Sequence, residues 1–138
     1  MQIHPYLSFE GRADEALAFY KKALGAQELM VMRFKDAPPE AQANMTPGNG
    51  DKVMHMSFKV GDTELMGSDG YCTGKAKFEG VSLTYNAKDP ADAEKIFKAL
   101  SDGGQVKMPL AKTFFSPSFG MLADRFGLGW MVIVPQQM

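Results

Sequence analysis

The chain has 138 residues, 45% apolar and 22% charged, enough to bury one real core and ordinary for a globular protein. Fifteen Lys and Arg against sixteen Asp and Glu give a net charge of −1, massed in neither half, which argues against a nucleic-acid surface. The single Cys72 excludes an internal disulfide and a thiolate metal cluster, and fits a reducing cytoplasm.

In chain order, Met1-Gln2-Ile3-His4-Pro5 lacks the basic and apolar regions of a secretion signal, and no later run approaches the ~18 apolar residues that cross a bilayer. Ile3 to Phe9 is predicted as a strand, with Ile3, Pro5, Leu7 and Phe9 on one face by period two. Asp14 to Leu24 follows as a helix, because Ala16, Leu17, Phe19, Tyr20, Ala23 and Leu24 recur at three- and four-residue spacing. Asp14 and Glu15 suit its positive end, Lys21 and Lys22 the other, and Gly25 supplies a left-handed stop. Ala26 to Phe34 reads as a strand, Asp36 to Asp51 as a long loop rich in Pro, Gly and Asn, and Lys52 to Val60 as a strand. Gly61-Asp62 is a hairpin turn into a short strand, Thr63 to Gly67, and Ser68 to Lys77 is a polar linker.

The second half repeats the order. Phe78 to Asn86 is a strand, Pro90 opens a helix where its missing N–H costs nothing, and Ala93, Ile96, Phe97 and Leu100 form its apolar stripe. Gly103-Gly104 end that helix, and Gln105 to Phe115, Phe119 to Asp124 and Gly129 to Val134 supply three more strands. Each half therefore runs β-α-β-β-β. A shift of 77 residues lays Ala16 on Ala93, Phe19 on Ile96, Tyr20 on Phe97 and Pro5 on Ser82; a shift of 66 lays Leu65 on Met131 and Met66 on Val132. The expectation is one α+β domain over 1–138, with module one at about 1–70 and module two at about 78–138.

Several segments carry a resemblance over nearly the whole chain: Pro5-Tyr6-Leu7-Ser8-Phe9, Glu15-Ala16-Leu17 with Phe19-Tyr20, Leu24-Gly25-Ala26, His55, Ser68-Asp69, Gly74-Lys75-Ala76, Thr113-Phe114-Phe115, and above all Asp124-Arg125-Phe126-Gly127 followed by Trp130-Met131. On these residues the sequence resembles the PhnB-like branch of the vicinal oxygen chelate (glyoxalase/bleomycin-resistance/dioxygenase) superfamily. The resemblance implies paired βαβββ modules whose sheets curl around a cleft, often in homodimers. Some relatives carry a 3-demethylubiquinone methyltransferase label. That activity is not expected here, since no Gly-rich strand-to-helix turn is present to hold S-adenosylmethionine.

Superfamily enzymes hold a divalent metal on the first and last strands of each module, where it stabilises an enolate or similar anion. Aligning this chain to that pattern puts Pro5, Leu65, Ser82 and Met131 at the ligand positions, none of them a hard-metal ligand except, weakly, Ser82. No metal site is therefore expected. A competing arrangement uses His4 and Glu64, each one residue away, together with His55. A one-residue offset on a strand points to the other face, so that alternative needs a bulge or a slip in alignment.

Other residues have a functional and a structural reading side by side. His55, between Met54 and Met56, is a cleft base or donor, or a histidine on a half-exposed sheet. Asp69 anchors a polar ligand group or caps the following turn. Phe114, Phe115 and Phe119 wall a pocket or form a lid or dimer contact. Trp130 lines a cavity or packs in the core, while Asp124 shapes a turn. Cys72 has no basic neighbour in sequence to make it a nucleophile. Eleven methionines, among them Met30, Met32, Met54, Met56, Met66 and Met131, either fill core or line an adaptable apolar cavity.

The leading expectation is a small-molecule-binding protein for an apolar or aromatic ligand held by Phe115, Trp130 and Met131, with His55 or Asp69 supplying polarity. It would be a cytoplasmic homodimer with no metal or other cofactor and no nucleic-acid or membrane partner. A metal-dependent lyase, isomerase or dioxygenase-type enzyme and a dimeric interaction module are the alternatives, and the sequence leaves turnover open.

Overall fold

Residues 1–39 and 50–136 are described by the computed structural model, so most of the loop expected at Asp36 to Asp51 lies outside the described residues. The chain divides into two units, Met1–Ala76 and Lys77–Met138.

In the first unit, β1 (Tyr6–Ser8) leads to α1 (Ala13–Leu24), then β2 (Gln27–Arg33), a 3-10 turn (Phe34–Asp36), β3 (Val53–Val60) and β4 (Thr63–Ser68). The sheet order is β1-β4-β3-β2, with β1 parallel to β4 and the other pairs antiparallel. In the second unit, β5 (Ser82–Asn86), α2 (Pro90–Ser101), β6 (Gln105–Ala111), β7 (Phe119–Ala123) and β8 (Gly129–Ile133) form the sheet β5-β8-β7-β6, with the same parallel pair. The βαβββ module expected from the sequence is therefore present twice.

The helices form for the reasons their sequences carry. Gly25 ends α1 at φ 68°, its amide reaching the Lys21 carbonyl while Ala26 reaches that of Tyr20. Pro90 opens α2 behind Asp89, whose carboxylate accepts the Asp92 amide at 2.7 Å. Each helix covers one face of its own sheet. Tyr20 of α1 is fully buried and stacks on Phe58 with ring centroids 5.8 Å apart. In the second unit, Gly120 lets Phe97 of α2 approach so closely that a Cβ there would stand 2.7 Å from its ring.

Three predicted strands fall short of expectation by more than one residue at one end. β1 starts at Tyr6, not Ile3: continued backwards, the Tyr6–Met66 register would bring Ile3 to Thr63, the first residue of β4, and Ile3 is exposed. β5 begins at Ser82 instead of Phe78. β6 stops at Ala111 because Lys112 to Ser118 folds into a turn, in which the Thr113 hydroxyl accepts the amides of Phe115 and Ser116.

Candidate functional site

Strand register decides which side chains share the face turned away from each helix. In the first unit, Leu7, Phe9, Met56, Phe58 and Leu65 are buried on the α1 side. The opposite face carries a cross-strand row, Tyr6–Met66–Ser57–Met30, read through all four strands. His55 and Met32, paired with each other, stand two residues further along on the same face. In the second unit, Leu122, Trp130 and Val132 are buried on the α2 side, and the opposite face carries the row Thr84–Met131–Met121–Met108. The two rows are equivalent element by element. Met66 matches Met131, and Met30 matches Met108.

This register corrects the repeat alignment. Tyr6 corresponds to Thr84 and Met66 to Met131, shifts of 78 and 65, whereas shifts of 77 and 66 would pair helix-side residues with open-face ones. The closing bonds agree: the Phe9 amide reaches the Ser68 carbonyl, and the Ala87 amide that of Ile133. Chain length between β1 and α1 differs by one residue from that between β5 and α2, so the helix alignment does not carry over to the strand before it.

Of the expected site residues, His55 and Met131 lie on open faces. His55 pairs with Tyr6, whose hydroxyl is 3.1 Å from His55 Nδ1, with ring centroids 5.6 Å apart and planes inclined by 24°. Phe115 is exposed on the turn after β6 and meets Phe119, an open-face residue of β7, edge to face at 5.0 Å; Phe114 meets Phe115 in turn at 5.1 Å. Ser116 pins this turn from beneath, its hydroxyl shared between the Ser118 and Val134 carbonyls at 2.8 and 2.7 Å.

Two of the expected ligand contacts are corrected. Trp130 neighbours Met131 on β8 and so faces the other way, into the α2-side core, with its indole N–H donated to Asp124 at 2.9 Å. Asp69 is buried, with one oxygen accepting the Ala13 amide that starts α1 and the other the Val53 amide that starts β3, both at 2.7 Å. It caps α1 from 56 residues away, a role that sequence-local capping patterns do not reveal. Tyr6, Met108 and Met121 are the open-face residues that sequence reasoning missed. Period two was visible at each, but only the pairing says which face is which.

The positions expected to hold a metal change with the register. Leu65 lies on the α1 side, and module one offers His4 and Met66 where module two offers Ser82 and Met131. His4 turns Nδ1 to the Glu64 carbonyl at 3.1 Å. Neither an imidazole with a thioether in the first module nor a hydroxyl with a thioether in the second suits a hard divalent ion. The alternative set of His4, His55 and Glu64 does not assemble either: among the described residues no group of three His, Cys, Asp or Glu gathers to hold a metal. Cys72 is no activated nucleophile, since burial, then the nearby Asp69 charge, pushes its thiol pKa up, and Lys52 only partly offsets them. Among the described residues no helix is long and apolar enough to cross a membrane.

Known proteins place this geometry in a family. A family model described as 3-demethylubiquinone-9 3-methyltransferase matches residues 1–133. Protein YjdN of Escherichia coli K12 is 31% identical over 143 residues, covering 99% of this chain and 97% of YjdN. The crystal structure of protein PA1353 from Pseudomonas aeruginosa shares 39% identity over 99% of both chains, with a TM-score of 0.85. The PhnB protein from Bacillus cereus shares 28% identity over 97% of this chain and 99% of its own, with a TM-score of 0.79. At the level of fold alone, a glyoxalase-related enzyme from Fulvimarina pelagi, 14% identical, overlays with a TM-score of 0.63 over 97% of this chain and 88% of its own. The PhnB-like resemblance and the glyoxalase/bleomycin-resistance fold are both borne out.

Proposed function

The chain belongs to the family described as 3-demethylubiquinone-9 3-methyltransferase, and from that membership we propose a small-molecule-binding protein that receives an apolar or aromatic ligand on the open faces of its sheets. The observation that carries this reading is the pair of equivalent rows, Tyr6–Met66–Ser57–Met30 and Thr84–Met131–Met121–Met108. Methionines filling core would sit on the helix sides, as Met56 does. The two rows instead place five of them on faces no helix of their own unit covers, where flexible, polarizable thioethers adapt to flat apolar ligands. Phe115 and Phe119 extend the second of these surfaces with aromatic edges.

The reading departs from the activity in the family's description. S-adenosylmethionine is commonly cradled by a Gly-rich turn between a strand and a helix. Here β1 passes to α1 through Phe9–Arg12, which holds only Gly11, and β5 passes to α2 through Ala87–Asp89, which holds none. The proposal also treats the two modules as one working domain, the protein as a homodimer, and its compartment as the cytoplasm; the lone cysteine supports the last.

The test is a titration of protein carrying 13C-methyl methionine with naphthalene. The methyl resonances of Met30, Met66, Met108, Met121 and Met131 are expected to shift while that of Met56 stays. Saturating probe that moves none of the five, or stoichiometric Ni, Zn, Mn or Fe in the native protein by elemental analysis, would overturn the reading.

A further inference from the structure

Among the described residues, the Tyr6–His55 pair is the one polar feature of the open face in unit one that joins two side chains across the sheet. Tyr6 is half exposed on β1, and His55 is partly exposed on β3. Met66 pairs with Tyr6 on the next strand, and Met32 with His55 on the far side. Only the Nδ1 side of the ring is engaged: among the described residues, His55 Nε2 has no hydrogen-bond partner, and the Tyr6 hydroxyl has none besides Nδ1.

A neutral imidazole has one N–H and one bare nitrogen, and a phenol has one O–H to give. Among the described residues, the acceptor within reach of the Tyr6 hydroxyl is His55 Nδ1. Donating to it fixes the ring proton on Nε2 and points the donor outward. We propose that the Tyr6–His55 pair is the polar pole of the ligand platform, and that it selects an aromatic acid: a flat apolar body on Met66 and Met32, with its carboxylate accepting the Nε2–H of His55. The inference rests on the platform reading above and adds the ligand's class and orientation to it. Tyr6 acts here as a positioning residue, setting the tautomer of the histidine that meets the ligand.

Two probes of one skeleton separate the parts of this argument. 1-Naphthoate carries the carboxylate and naphthalene does not. In the native chain 1-naphthoate is expected to bind about tenfold more tightly, the usual scale of one charge-assisted hydrogen bond. His55→Phe should bring the two probes to parity, and His55→Gln, which retains an N–H donor, should restore part of the difference. Independently of any ligand, ring 15N shifts of His55 at pH 8 should report the Nε2–H tautomer, and Tyr6→Phe should convert it to a mixture. Naphthalene binding without a 1-naphthoate preference overturns the inference and leaves the platform standing. A preference that survives His55→Phe, or a Nδ1–H tautomer, also overturns it. Failure of both probes removes the platform and the inference together.

Discussion

Asp124 accepts the indole N–H of Trp130 at 2.9 Å, and its other oxygen takes the amides of Phe126 and Leu128 at 2.9 and 3.1 Å. One buried carboxylate thus folds the Asp124–Gly127 turn and fixes the first large side chain of β8. Asp124→Ala strands three buried donors, so a loss of about 2–4 kcal/mol is expected in urea unfolding. The double cycle with Trp130→Phe should show coupling of about 1 kcal/mol or more. Additive losses would mean that the indole bond contributes nothing.

Asp69 plays the corresponding organising part in the first unit, and its reassignment from ligand contact to cap is testable. Asp69→Ala removes the acceptor for Ala13 and Val53 together and should cost about 2–3 kcal/mol. Asp69→Asn, which keeps one acceptor oxygen, should cost less. Naphthalene affinity of whichever variant stays folded should match that of the native chain; a large fall would return Asp69 to the ligand site.

Arg33 grips Asp14 with two parallel hydrogen bonds of 2.8 and 2.9 Å, tying the end of β2 to the first turn of α1. Those bonds are the main reason the Asp14 carboxyl is held below its ordinary pKa, with partial burial opposing them. A depressed carboxylate pKa contributes stability above about pH 4 and loses it as pH falls through the lower folded value. The pair is largely solvated, so Arg33→Ala should cost only about 0.5–1 kcal/mol at pH 7. Urea midpoints of native and variant chains should converge as pH falls through the folded Asp14 value, and 0.5 M salt should narrow the gap at neutral pH.

The raised Cys72 thiol gives a chemical prediction. Its alkylation by iodoacetamide should follow a pH profile displaced above that of a free cysteine, because burial and the Asp69 charge disfavour the thiolate. Lys52→Ala removes a cation that favours the thiolate and should displace the profile further upward. A profile below that of free cysteine would mark Cys72 as activated after all.

The amino-acid sequence by itself determined the element order, both helix termini, the duplication and the family. Those are written locally: a three- and four-residue apolar recurrence, a glycine after Leu24, a proline at position 90, a motif at Asp124–Trp130. It also settled that His55 and its methionine neighbours face opposite ways, because period two needs no partner strand. Tertiary structure alone decided the register between strands. One residue of slip exchanges the two faces of a sheet, and the lengths of the connections that set the slip carry no periodicity to read. Hence Leu65 passed from a candidate ligand position to the core, Trp130 from cavity wall to helix packing, and Asp69 from ligand anchor to helix cap. Met66, Met108 and Met131 meanwhile joined Tyr6 and His55 on faces that only pairing could reveal.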